Sequence, residues 1–177
     1  IMKIKLATIL TILSLALFAQ KTPSVAVLDF DTRGYDEVAR HQIIQKLTLE
    51  MINMEGYEVI DNYDVEYISE RDGIDFTGCF SRICLKELGE KLEVDYILTG
   101  SMNLLGEKVS TTVRLFDVAQ GSFVNSANRN YVDVPKNDLL MAELTLKDMM
   151  GLENDPELVR RVTVANDYEN ILNNPFD

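Results

Sequence analysis

Three strand-like stretches joined by very short turns constrain the fold of this chain more than any other feature. Residues 94–104, 108–118 and 122–131 are rich in strand-forming side chains, with Gly106 in the first turn and Gly121 in the second. Parallel strands need a crossover of about a dozen residues or more, so connections this short allow only antiparallel pairing. The three stretches are therefore predicted to form an antiparallel meander.

Strand and helix patterns alternate on either side of the meander. Residues 24–30 form a nearly continuous apolar run, which is typical of a strand buried on both faces of a sheet. An amphipathic helix pattern follows at 38–52, and its apolar residues, Val38 and Ile52 among them, recur at helical spacing. A short strand pattern at 57–60 follows, and then two more helix patterns, the first with Asp61 as its predicted cap. After the meander, a last helix pattern at 139–150 completes the series. The predicted order is β-α-β-α-α-β-β-β-α, an α/β (α+β) fold with a single mixed β-sheet and flanking helices.

The first nineteen residues have the composition of a secretory signal peptide. Two lysines precede an apolar run that is shorter than the roughly 20 residues needed to span a bilayer. We expect residues 1–19 to be a signal peptide, residues 20–150 to form one domain, and residues 151–177 to form a polar tail or docking segment. The predicted location is the periplasm, with no stable membrane span after signal removal and with outer-membrane association only through a partner.

The charge of the chain limits the classes of partner it can bind. Lys and Arg number 17 against 29 Asp and Glu, a net charge of −12, which becomes about −14 once the two lysines of residues 1–19 are removed. This excess of negative charge argues against nucleic acid and anionic lipid surfaces as partners. It leaves two interpretations open, a solvated surface that keeps an exported protein soluble and a docking face for a basic partner.

The two cysteines of the chain are expected to form a disulfide. Cys79 and Cys84 lie five positions apart, and in an oxidising compartment such a pair is more often bridged than free. Their spacing is not Cys-x-x-Cys, which argues against a redox-active pair. Two thiols and the single distant His41 cannot complete a four-ligand zinc site, so neither a metal nor a cofactor is predicted.

Three strings of residues resemble a known group of bacterial envelope domains. They are EGYEVID at 55–61, LEVDYILTGS at 92–101, and VRLFDV at 113–118 followed by Gly121. In this order they are similar to the CsgG-like group, which includes the periplasmic domain of the curli secretion channel, the LpoB-type activators of peptidoglycan synthases and the amino-terminal domain of TolB. The resemblance covers roughly residues 24–131.

The resemblance implies protein-protein work in the envelope rather than catalysis. On this basis the chain would be an accessory or activator subunit of an envelope assembly, of the peptidoglycan-synthesis or secretion type, with an envelope protein as partner and homo-oligomers also open. The motif residues are predicted to have structural roles, with glycines at turns and at points where two backbones approach closely. None of them is a nucleophile paired with a base. The positions to which we assign this structural role are Gly56, Tyr57, Asp95, Tyr96, Gly100, Ser101, Arg114, Asp117 and Gly121.

The chain departs from the resembled group in two respects. Many members are lipoproteins, and no cysteine follows the apolar run here to serve as the usual lipid attachment point. Nor does the sequence contain a pair of alternating apolar segments of about ten residues that could enter an outer membrane as strands. Soluble partner binding is the function that these departures leave in place.

Two alternative functions remain open. Asp29 and Asp31 follow a buried strand, where open α/β sheets often hold their sites, and they resemble the first motif of haloacid-dehalogenase-type phosphatases. In that hypothesis Asp29 is the nucleophile, Asp31 the general acid, and Mg²⁺ lies between them. The simpler interpretation is that both carboxylates cap the following turn and helix. A small-ligand sensor that uses a groove beside the sheet is the second alternative.

Overall fold

Five strands form one mixed sheet in the order β2-β1-β3-β4-β5. A computed structural model describes residues 21–75, 78–134 and 136–163. The elements are β1 Ser24–Arg33, α1 Glu37–Asn53, β2 Glu58–Ile60, α2 Asn62–Asp72, α3 Arg82–Leu92, β3 Tyr96–Leu105, β4 Lys108–Asp117, β5 Ser122–Val132, α4 Asp138–Met149 and α5 Pro156–Thr163. The predicted fold class and element order are confirmed, and the structure adds α5 at the end of the series.

The strand pairing follows the lengths of the connections. β1 runs parallel to both β2 and β3, because helices connect these strands along the chain. β3, β4 and β5 pair antiparallel through the two short turns, as the sequence predicts. β2 pairs with β1 only at Ser24–Ala26, so this edge of the sheet is covered for just three residues.

Helices cover the sheet in two layers. On one face α1, α4 and α5 bury a cluster built around Phe30, Leu47 and Leu144. On the other face α2 and α3 bury a second cluster that includes Leu85 and Phe116. Because β1 contributes side chains to both clusters, its apolar run has no polar face, as the sequence predicts.

The last described helix, α5, packs on the domain. Val162 is fully buried in the same cluster as α1 and α4. Asn154 holds the connection in place, since its side-chain amide donates to the carbonyl of Leu144 at 3.0 Å and to Asp148 Oδ1 at 2.9 Å. The part of the predicted tail or docking segment at 156–163 is therefore a helix docked on its own domain. The predicted signal peptide and residues 164–177 lie outside the described residues.

Two residues of α1 do not lie where its helical pattern predicts. Val38 and Ile52 were expected on the buried side, but their exposed fractions are 66% and 54%. The buried arc of α1 consists of Ile43, Ile44, Leu47, Thr48 and Met51. Val38 and Ile52 lie outside that arc, so α1 carries apolar side chains on its solvent side. In the described part of the chain, no helix has the length and apolar content to cross a membrane.

Candidate functional site

A groove opens at the sheet edge between α1 and α2, and we call it the α1–α2 groove. Its volume is about 930 Å³, which is within the range of ligand and peptide sites. It exists because β2 ends at Ile60 and the chain turns at once into α2, while β1 continues to Arg33. The edge of β1 beyond Ala26 therefore has no strand beside it within the described part of the chain, and Leu28 and Asp29 line the groove there.

Side-chain caps fix the two helices that wall the groove. Asp36 caps α1, because its carboxylate accepts from the Ala39 N–H at 2.8 Å. Asp61 caps α2 by accepting from the N–H groups of Tyr63 and Asp64 at 2.9 and 3.0 Å. The sequence predicts Asp61 as a cap, but it assigns the start of the first helix to Asp29 and Asp31, and the structure gives that role to Asp36.

The floor of the groove is apolar and its rim carries exposed apolar side chains. Leu28, Ile44 and Val65 are buried and line the groove from three different elements. Val38 of α1 lines it while two thirds exposed. Tyr63 of α2 is 63% exposed beside it, and such exposed aromatic and apolar side chains are typical of binding surfaces.

Polar contacts connect the two walls. The Gln45 side-chain amide of α1 donates to Tyr63 Oη of α2 at 3.4 Å and lies 3.0 Å from His41 Nε2. The His41 and Tyr63 rings meet edge to face with their centroids 6.5 Å apart. These contacts hold Tyr63 near α1.

Carboxylates dominate the charge of the groove. Glu37 and Asp29 lie at the α1 end, and both are within 4 Å of the Arg40 guanidinium, at 3.8 and 3.6 Å. Glu66 and Glu70 lie on α2, where both are exposed to solvent. Asp75 lines the far end, so the residues that line the groove include five carboxylates and one arginine.

The disulfide closes one end of the groove. Cys79 is buried and lines the groove, and its bond to Cys84 ties the α2–α3 connection to the first turn of α3. Ser81 caps α3 inside the same ring by accepting from the Cys84 N–H at 3.3 Å. Within the described residues neither cysteine is free, in keeping with the disulfide that the sequence predicts.

The two aspartates of the phosphatase hypothesis are held by different arginines. Asp29 pairs with Arg40 at 3.6 Å, and its Oδ1 also accepts from the Phe30 N–H at 2.9 Å. Asp31 pairs with Arg33 at 3.6 Å. Among the described residues, no group of three or more His, Cys, Asp or Glu side chains is placed to hold a metal ion. The arrangement offers Mg²⁺ at most these two carboxylates, each of them already beside a guanidinium.

Several motif residues lie at the opposite end of β1 from the groove. Asp95 Oδ2 accepts from the N–H and the hydroxyl of Ser24 at 2.8 and 3.0 Å, and the Ser24 hydroxyl accepts from the Asp95 N–H. These hydrogen bonds, that from the Ser24 N–H above all, hold the pKa of Asp95 below its ordinary value. Tyr57 and Tyr96 meet edge to face beside them at 6.0 Å. This set joins the starts of β1 and β3.

Other motif residues shape the meander. At Gly100 a Cβ would lie 2.0 Å from the carbonyl oxygen of Thr112, so only glycine fits this point of β3, and Ser101 follows it opposite Thr112. The Arg114 guanidinium stacks over the Phe123 ring at 4.5 Å, and burial lowers the pKa of Arg114.

Two of the motif glycines and one aspartate lie in turns. Asp117 accepts from the Gln120 N–H at 2.7 Å and from its side-chain amide at 2.9 Å, which closes the β4–β5 turn. Gly121 in that turn and Gly56 after α1 both have positive φ, at 66° and 109°. None of the nine predicted motif residues lines the α1–α2 groove.

Sequence reasoning missed the residues that form the groove. The sequence pattern counts Val38 among the apolar residues of an amphipathic helix, and it does not single out Glu66 and Glu70, which line the groove, or Tyr63, which lies beside it. One available signal was the position of Val38 relative to the buried arc of α1, since it falls outside the stripe that Ile44 and Leu47 define. Methionine side chains can form adaptable binding surfaces, but Met141 and Met149 of α4 are buried in the core.

Comparison with known proteins gives similarity of fold only. No protein-family model matches the chain, and no curated protein matches its sequence. Among solved structures, the LpoB C-terminal domain from Escherichia coli superposes with a TM-score of 0.52 at 13% identity, covering 68% of this chain and 92% of that domain. The corresponding Salmonella enterica domain gives 0.52 at 12% identity, covering 64% and 84%.

A lipoprotein from a third organism has the same architecture. The structure of lipoprotein GNA1162 from Neisseria meningitidis superposes with a TM-score of 0.53 at 18% identity, covering 73% of this chain and 96% of that one. The described domain therefore spans nearly the whole of these structures, and the resemblance to LpoB-type domains is confirmed for the fold.

Proposed function

We propose that this protein is an exported, non-catalytic protein-interaction module of the bacterial cell envelope, and that it docks a partner protein in the α1–α2 groove. The groove is the observation that carries the proposal. It combines a buried apolar floor at Leu28 and Val65 with exposed apolar side chains at Val38 and Tyr63. A surface of this kind buries apolar area when a partner covers it, and that is the main driving force of protein association.

Export is supported by two independent features. Residues 1–19 have the composition of a signal peptide, and Cys79 and Cys84 are joined in a disulfide, which persists in oxidising compartments. The periplasm is the compartment that suits both. The acidic surface, with its net charge of −12, argues against nucleic acid as the partner.

The resemblance of the motif strings and the fold shared with LpoB C-terminal domains support a proposal for the class of assembly. We propose an accessory or activator subunit of an envelope assembly, of the peptidoglycan-synthesis or secretion type. The motif residues support this role indirectly, because they stabilise strand starts and turns and leave the groove free for a partner.

Photo-cross-linking in cells tests the proposal. A photoreactive amino acid is placed at Val38 on the groove rim or at Tyr63 beside it, and in matched controls at Val124 or Leu152, which are exposed and do not line the groove. The cross-linked products are then identified by mass spectrometry. We expect the rim positions to capture one dominant envelope enzyme or channel subunit and the control positions to capture it much less.

Other outcomes would contradict the proposal in distinguishable ways. Self-links alone would indicate a homo-oligomeric scaffold instead of an accessory subunit. Absence of links from both rim positions, in a protein that is exported and folded, would favour the small-ligand sensor or the enzyme. Hydrolysis of phosphate esters that needs Mg²⁺ and disappears in Asp29→Asn would establish the phosphatase instead.

A further inference from the structure

The open edge of β1 presents backbone groups to the α1–α2 groove. The Thr99 hydroxyl of β3 donates to the carbonyl of Asp29 at 3.1 Å, so that carbonyl points toward β3. β1 is irregular here, since its register to β3 shifts between Val27 and Phe30, but the carbonyl of Asp29 and the N–H of Phe30 belong to one planar trans peptide. They therefore point in opposite directions, and the Phe30 N–H points away from β3. This is the side on which β2 has already ended.

A side chain covers the outward-pointing N–H of Phe30, a residue that is itself buried. The Phe30 N–H donates to Oδ1 of the preceding Asp29 at 2.9 Å. An edge donor satisfied by a neighbouring carboxylate can exchange that partner for the carbonyl of an added strand, because the carboxylate lies at the surface and can turn aside. Oδ2 of the same carboxylate is also 3.6 Å from Arg40, a separation at which a surface ion pair contributes little.

We infer that the α1–α2 groove binds an extended, basic segment of the partner protein, which adds to the sheet as a strand beside β1 in the line of β2. This inference rests on the proposed function and specifies the partner's chemistry. Strand addition obtains affinity from main-chain hydrogen bonds and specificity from alternate side chains. Here one row of side chains would reach the apolar floor at Val65 and Ile74, and the other would face the carboxylates of the rim.

The charge of the groove selects a basic segment. Glu66 and Glu70 lie one turn apart on α2, so they present two carboxylates along the path of the segment. On the opposite wall Glu37 lies with Asp29 and Arg40. One Lys or Arg of the segment would pair with the α2 carboxylates. A second would pair with the Asp29 carboxylate, once an added strand has displaced that carboxylate from the Phe30 N–H.

Selection from a displayed library of random nonapeptides tests this inference on the purified, disulfide-bonded protein. We expect the enriched peptides to contain Lys or Arg and to alternate apolar and basic residues with a period of two. The best peptide is then synthesised with a fluorophore, and its dissociation constant is measured by fluorescence anisotropy at low and at physiological salt.

Matched variants separate groove binding from attraction to an acidic surface. Glu66→Gln with Glu70→Gln should weaken binding about tenfold, since each lost carboxylate removes a favourable charge contact. Glu87→Gln with Glu90→Gln makes the same change in charge on α3, outside the groove, and should change binding less than about twofold. Equal weakening by both pairs of substitutions would overturn the inference.

Backbone methylation of the peptide tests strand pairing itself. Two peptides are compared, each N-methylated at every second residue and offset from the other by one residue. In one peptide methylation removes the N–H donors that face β1, and in the other it removes only donors that face away from β1. We expect one register to weaken binding tenfold or more and the other to leave it within about twofold. Equal effects of the two registers, enriched peptides with apolar residues every three or four positions, or no enrichment of basic peptides would each refute an extended strand.

The two tests fail in different ways. If the rim positions capture an envelope protein but the selected peptides are helical or acidic, the interaction module stands and the added strand is wrong. If basic, strand-pairing peptides bind while no envelope protein is captured in cells, the strand site stands and the proposed function is wrong.

Discussion

Substitution of Gly100, which lies within β3, by alanine should strongly destabilise the fold. A Cβ at this position would lie 2.0 Å from the carbonyl oxygen of Thr112 and 2.6 Å from Cε1 of Phe30. Carbon and oxygen normally approach to about 3.3 Å, so β3 and β4 would have to separate locally by roughly 1.3 Å. The Thr112 oxygen belongs to the backbone of a paired strand and cannot rotate out of the way.

The magnitude follows from this displacement. Overpacking of a filled core costs about 1–3 kcal/mol. A strand separation of this size also stretches one or two ladder hydrogen bonds past their useful length, at about 1 kcal/mol each. We therefore expect Gly100→Ala to lower the free energy of unfolding by about 4 kcal/mol, a large share of the roughly 5–15 kcal/mol of a typical domain.

Urea unfolding followed by circular dichroism measures the effect, with Gly106→Ala as the matched control. Gly106 has open space around its Cβ position but a φ of +67°, so its substitution costs backbone strain of about 1 kcal/mol without a clash. A second variant, Phe30→Leu in the Gly100→Ala background, relieves the contact with the ring only. If Gly100→Ala costs no more than Gly106→Ala, or if Phe30→Leu restores stability fully, the reasoning about strand separation is wrong.

Two further predictions concern the disulfide and an ion pair between helices. Replacing Cys79 and Cys84 by serine should lower the free energy of unfolding by about 2 kcal/mol on the chain-entropy model, because the ring is short; urea unfolding with no measurable loss would contradict this. Burial raises the pKa of Glu143, but hydrogen bonds from Lys147 and Lys46 outweigh burial and hold this pKa below its ordinary value of 4.5. The folded state therefore gains stability that is present above pH 4.5 and lost as pH falls through the lowered pKa, so unfolding curves between pH 3 and 7 should show a shallower acid loss in Glu143→Gln. An unchanged acid profile would show that this carboxylate does not contribute.

Local signals explain why the sheet could be predicted from the sequence. The turns at Gly106 and Gly121 allow only one kind of pairing, and the apolar run of β1 fits only a strand covered on both faces. The cap at Asp61 and the disulfide at Cys79 are also local, since their partners lie within a few residues. Each of these predictions depends on contacts that are close in the chain.

The groove and α5 depend on contacts that are distant in the chain. Apolar residues extend around more than one face of α1, since Val38 and Ile52 lie outside the buried arc, and only the packing of α1 against α4 shows which arc is buried. The short helix at 156–163 is held by the burial of Val162 in the core, among side chains of α1 that are distant in the chain. The groove exists because β2 ends early beside β1, and the exposed positions on its rim resemble ordinary surface until that edge is seen.

The pairing of β1 with β3 has a consequence for the order in which the chain can fold. Ser24 and Asp95 bond to each other across 71 positions, and β2 offers β1 only three residues of pairing before then. During synthesis from the amino terminus, β1 is complete long before β3, which pairs with it along most of its length, has been made. The β3–β5 meander, by contrast, closes through short loops as soon as it is made. Until the meander is in place, β1 lacks the neighbour that pairs along most of its length, so the sheet is complete only when β3 lies beside β1.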